Sequence, residues 1–188
     1  MIDILCEAKS SPIYHGTSIE NAYKIVESNE LRGNISNETE TYGVSFTRNK
    51  NEAYGSVYIQ VDQEKLSYNY KIHPVYRDGI AGRDLAEERV DRTITNIRKY
   101  ITEIGFNYSL VVNRIRIDLT KIALSGRHEL RESDGEAYDL MMLIETCDRY
   151  NVNITSELRD AGKYIDMFYN NEPDTKYMLK FKNKEKKK

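Results

Sequence analysis

Two hydrophobic periods alternate along this chain, and neither runs long enough to dominate it. Val57-Tyr58-Ile59-Gln60-Val61-Asp62 repeats every second residue, the pattern of a strand with one buried face. Ile19, Ala22, Tyr23 and Val26 recur at the spacing of a helix face, as do Ala137, Leu140, Met141, Ile144 and Cys147. The two kinds of segment interleave without the strict rhythm of strand, helix, parallel strand, which selects the α+β class. The chain has 188 residues, no internal repeat and no Gly/Ser-rich or Pro-rich linker. The expectation is one domain over residues 1–179, with a basic tail over 180–188.

Local signals place the remaining elements. Ser11-Pro12-Ile13-Tyr14-His15 reads as a short strand, and Thr17 with Glu20 has the capping-box pattern that opens a helix. Residues 32–41 read as a loop, Gly43-Val44-Ser45-Phe46-Thr47 as a strand, and Tyr70 to Val75 as a third strand ended by its proline. Residues 76–83 hold Gly79 and Gly82 and read as a loop. From Asp84 onward, Val90, Ile94, Ile97, Ile101 and Ile104 step by four, three, four and three residues. That spacing predicts a long helix stopped by Gly105. Ile115, Ile117 and Leu119 alternate with Arg116 and Asp118 and predict a strand. Ser133-Asp134 opens the helix that carries the Ala137 to Cys147 stripe, and Ser156 to Tyr169 forms a last helix.

Composition narrows the function classes. The net charge of -2 argues against a protein that grips nucleic acid through bulk positive charge. Lys180 to Lys188 reads as a solvated basic terminus. Cys6 and Cys147 lie far apart with no CxxC pair, so neither a disulfide framework nor a metal site is expected. No basic leader with an apolar run precedes the domain and no stretch has the apolar length to cross a bilayer, so a cytoplasmic protein without membrane partners is expected.

Four segments carry chemistry. In Tyr14-His15-Gly16-Thr17 a strand end feeds a helix; a histidine held there can hydrogen-bond a ligand, and Gly16 allows a close approach to the backbone. The plainer reading is a packed histidine and a capping threonine. In Gly43 to Arg48, Ser45 and Thr47 share one strand face and Arg48 follows at its end, a combination suited to a phosphate or pyrophosphate. Tyr54, with Tyr58 behind it, offers a ring that can stack on a base or a nicotinamide, although packed tyrosines are commoner. Glu87 and Glu88 read as first-turn carboxylates beside a helix dipole, or else one of them faces a pocket.

In this order the four segments resemble the His–Ser/Tyr–Glu arrangement of the ADP-ribosyltransferase superfamily, over roughly the first half of the chain. The Tyr-His-Gly-Thr, Ser-Phe-Thr-Arg and Glu-Glu-Arg-Val string also resembles small proteins of phage genomes. The resemblance implies a split mixed β-sheet with flanking helices and NAD as substrate. It implies that His15, with Gly16 and Thr17, seats the adenosine ribose, and that Ser45 or Thr47 supports the nicotinamide ribose. It further implies that Tyr54 stacks on nicotinamide, that Arg48 contacts the pyrophosphate, and that Glu87 or Glu88 steadies the oxocarbenium ion. The family's glutamate sits on a late core strand, whereas Glu87 and Glu88 read here as helical. Glu129, Glu132 and Glu136 are therefore the other candidates. The function expected from the resemblance is transfer of ADP-ribose to a host or defence macromolecule. A nucleotide- or partner-binding protein without turnover, and a virion-associated structural protein, are the rival expectations.

Overall fold

The computed structural model describes residues 11–35, 42–77, 85–107 and 109–170. In chain order the elements are β1 (Ile13–Thr17), α1 (Ile19–Ser28), β2 (Glu30–Leu31), β3 (Asn34–Ile35), β4 (Tyr42–Thr47), β5 (Val57–Val61) and α2 (Gln63–Ser67). They continue with β6 (His73–Arg77), β7 (Leu85–Val90), β8 (Ile94–Thr95), β9 (Ile101–Phe106), α3 (Ser109–Leu124), α4 (Glu136–Tyr150) and α5 (Ser156–Tyr169). The α+β class is therefore observed.

The main sheet has the order β6-β7-β4-β1-β5-β9, with β3 added to β4; β2 and β8 form a separate ribbon. Every pair of these strands is antiparallel, which corrects the expected mixed sheet. A parallel bridge joins Ile104 of β9 to Ile154, which lies in none of the named strands. Pro74, which cannot donate to a ladder, lies on β6 at the edge of the sheet, where its missing N–H costs least.

Registration places the core. Ile13, His15 and Thr17 lie opposite Val61, Ile59 and Val57, and the next strand outward adds Ile104 and Phe106. These apolar side chains are buried, as are Val44, Phe46 and Val90 from β4 and β7. The same core takes in Ile19, Ala22 and Val26 of α1, each full burial of a large aliphatic chain contributing about 2 kcal/mol. Ser18 caps α1 by accepting the Asn21 N–H at 3.1 Å. The expected cap, Thr17, is instead the last residue of β1. The helix ends on Asn29 in the left-handed region.

Two expected elements are overturned. The segment from Asp84 to Gly105 is no helix: its described part forms β7, β8, a 3-10 turn at Ile97–Lys99, and β9. Val90, Ile94, Ile97 and Ile104 are all buried, but from successive short elements rather than one face. Asn96, at φ 55, breaks any continuous helix between them. Conversely, the expected strand around Ile115 to Leu119 lies inside α3, where Val111, Ile115 and Leu119 recur every fourth residue and are buried. Residues 76 and 77 belong to β6 rather than to a loop, and Asn34 and Ile35 to β3. Residues 36–41, 78–84, Cys6 and the basic tail lie outside the described residues.

Candidate functional site

His15 stands near the middle of the sheet because β1 is flanked by β4 and β5. Its Nδ1 lies 3.0 Å from the Ser45 main-chain oxygen. A carbonyl can only accept, so Nδ1 carries the proton and Nε2 of the neutral ring keeps its lone pair. Desolvation lowers the pKa of the half-buried imidazole from its ordinary 6.5, outweighing the Ser45 carbonyl, which favours the charged form. The ring also packs edge-on against Phe46, with centroids 5.9 Å apart.

Phe46 lies directly opposite Glu88 across the β4–β7 seam. His15, Phe46 and Glu88 therefore form a row across three adjacent strands. Two strand spacings separate the outer members by roughly 10 Å at Cα. Glu88 is 7% exposed and is held by Arg48, whose Nε and Nη2 donate to the same carboxylate oxygen at 2.8 and 2.6 Å. Glu88 lies on β7, which corrects the reading of this segment as the first turn of a helix. Glu87 lies opposite Thr47 on the same seam.

Other nominated residues are occupied differently. Gly16 faces the chain and not open space: a Cβ there would sit 2.1 Å from the Tyr54 carbonyl oxygen. Ser45 supplies its carbonyl to His15. The Thr47 hydroxyl is turned back on its own loop, donating to the Asn49 carbonyl and accepting its N–H. Tyr54 is 79% exposed, a ring facing solvent, whereas Tyr58 is buried and donates to Glu103 at 2.7 Å. Burial, together with that carboxylate, pushes the Tyr58 phenol well above its ordinary value. Of the alternative glutamates, Glu136 begins α4 and accepts from Ser56 at 3.1 Å and Arg114 at 3.0 Å. Glu132 lies in a 3-10 turn, and neither it nor Glu129 is on a strand.

A cleft of about 550 Å³ opens beside His15 and Thr17, walled by α1 and by the chain through β2 to Asn34. That volume is in the range of small-molecule sites. Two cations line it, Lys24 and Arg32, ion-paired to Glu20 and Glu30 respectively. The cleft was not foreseen in the sequence, because α1 and β2 signal only packing. Among the described residues no cluster of three or more His, Cys, Asp or Glu side chains could hold a metal ion, and no helix is long and apolar enough to cross a membrane. No family model, curated protein or solved structure matches the chain.

Proposed function

We propose that the chain is an NAD-dependent ADP-ribosyltransferase, with His15 and Glu88 as its central pair and a host or defence macromolecule as acceptor. The observation that supports this most is the row His15–Phe46–Glu88 across three adjacent strands, of which His15 lines the cleft. It combines a neutral histidine with a free Nε2 acceptor and a carboxylate two strands away, in the order the family resemblance requires. In this reading Nε2 accepts a ribose hydroxyl, with Thr17 beside it in the cleft. The glycosidic C–N bond of NAD breaks with its electron pair leaving on nicotinamide. Positive charge grows on the anomeric carbon, and the Glu88 carboxylate stabilises it. The acceptor then bonds to that carbon and loses its proton. Arg48 releases Glu88 by turning to the pyrophosphate, which its planar fork fits.

Labelled NAD incubated with the protein and lysate tests the reading. His15→Ala removes NAD binding, and Glu88→Gln keeps binding but loses labelling of the acceptor. Absence of NAD binding at millimolar concentration ends the proposal.

A second reading, a nucleotide-binding protein without turnover, is favoured by one observation. The Glu88 carboxylate is already engaged by the Arg48 guanidinium. In that case Glu88→Gln leaves ligand affinity and biological effect unchanged.

A further inference from the structure

A depression of about 450 Å³ that shares no lining residue with the cleft beside His15 is bordered by Thr95 of β8 and lined by Tyr70, Arg92, Asn96, Lys99 and Tyr100 among others. Its base is a pair of buried tyrosines, Tyr70 and Tyr100, packed edge to face with centroids 6.0 Å apart. The Tyr70 hydroxyl accepts the Thr95 N–H at 2.9 Å, which ties the base to β8. One cation sits over each ring: the Arg92 guanidinium carbon is 4.6 Å from the Tyr70 centroid, and the Lys99 ammonium is 4.6 Å from the Tyr100 centroid.

The two cations are held by ring faces, an attraction that leaves their charge uncompensated. Among the described residues, neither cation is ion-paired to a carboxylate, and no carboxylate lines the depression. Arg92 also donates one hydrogen bond to the Asn69 carbonyl at 2.6 Å, which fixes the guanidinium in place. The turn beside them is set by Asn96, left-handed at φ 55 and bonded through its side chain to Asn29 at the end of α1. The Tyr100 hydroxyl is buried and has no hydrogen-bond partner among the described residues. Two positive charges lining one depression, together with the hydroxyl and amide side chains of Thr93, Thr95, Asn69 and Asn96, are groups that suit a tetrahedral oxyanion through charge-assisted bonds.

We infer that this depression binds a phosphate group, carried either by a nucleic-acid backbone or by a small phosphomonoester. The inference concerns a depression that shares no lining residue with the cleft and stands whether or not the cleft binds NAD. A protein of net charge -2 concentrates this positive charge locally, so its contribution is that of a site and not of a general field.

The test is an amide-shift titration of the full chain with inorganic phosphate, followed over Thr93 to Tyr100. A saturable shift is expected, with affinity falling about tenfold or more in Lys99→Gln and further in Arg92→Gln/Lys99→Gln. Lys99 is exposed, so its substitution leaves the fold intact, as the unchanged remainder of the spectrum verifies. No saturable shift, or a shift that is the same in Lys99→Gln, overturns the inference. A short oligonucleotide that competes with phosphate assigns the group to a backbone phosphodiester. Competition by a nucleoside monophosphate alone assigns it to a small phosphomonoester.

Discussion

Arg48 closes its guanidinium fork on a single oxygen of Glu88, at 2.8 and 2.6 Å, across the seam between β4 and β7. The carboxylate side chain is 9% exposed and the arginine side chain 30%, so the pair is largely withdrawn from water. Removing one partner strands the other, whereas removing both does not. Arg48→Met is expected to destabilise the protein by about 3 kcal/mol in urea unfolding. Arg48→Met/Glu88→Leu is expected to recover most of that loss. A double variant no more stable than Arg48→Met would show that the pair is not what holds this seam.

The His15 imidazole gives a pH signature. Unfolded, it titrates near 6.5; folded, desolvation holds it lower. Between the two values the unfolded chain binds more protons than the native one, so stability is complete above 6.5 and falls as pH drops through that window. The His15 ring protons should titrate with a midpoint below 6.5 by NMR. The loss of stability on acidification from pH ~7.5 to ~5.5 should be smaller in His15→Asn than in the wild type. An ordinary midpoint would place the ring in water.

Gly16 and Tyr54 touch through the backbone and should separate cleanly on substitution. Gly16→Ala places a methyl 2.1 Å from the Tyr54 carbonyl oxygen and should cost more than about 2 kcal/mol, since backbone must move to admit it. Tyr54→Ala removes an exposed ring and should change stability by less than about 0.5 kcal/mol. Tyr54→Ala therefore reads stacking on a ligand without a folding effect: a rise in the Kd for NAD supports that role, and an unchanged Kd removes it.

Ile115, Ile117 and Leu119 distinguish helix from strand by energetics. In α3, Ile115 and Leu119 are buried and Ile117 is half-buried between them. Truncating Ile115 or Leu119 to alanine should cost about 3 kcal/mol each, and truncating Ile117 clearly less. Equal losses at all three would restore the alternating face of a strand.

Much of the fold was legible where one period ran uninterrupted. Val57 to Val61, the α1 face and the stripe from Ala137 to Cys147 each sit in one element, so periodicity and structure coincide, although Tyr58 buries the second face of β5 as well. The failures share a cause. Val90, Ile94, Ile97 and Ile104 are spaced like a helix because two strands joined by a ribbon and a 3-10 turn happen to deliver buried side chains at that interval. Their β-branched chemistry, which favours strands, was the signal against the helix. The misreading hid the strand position of Glu88, and so the row it makes with His15. The Arg48–Glu88 pair joins residues forty positions apart, a contact no local pattern encodes.

Cys147 is buried, and desolvation pushes its thiol up to about 12. In a Cys6→Ser background it should resist alkylation at neutral pH in the folded state and react at once in urea. Rapid native-state labelling would mean that α4 opens locally.

The contact of Gly16 with the Ala53–Tyr54 backbone bears on how a His-Gly pair is read in a sequence. The glycine is demanded by the turn that crosses behind it, independently of any ligand in front. A chain that bound nothing at this position would still need the glycine to fold, and would go on displaying the His-Gly pair. The dipeptide marks an architecture and not by itself a use.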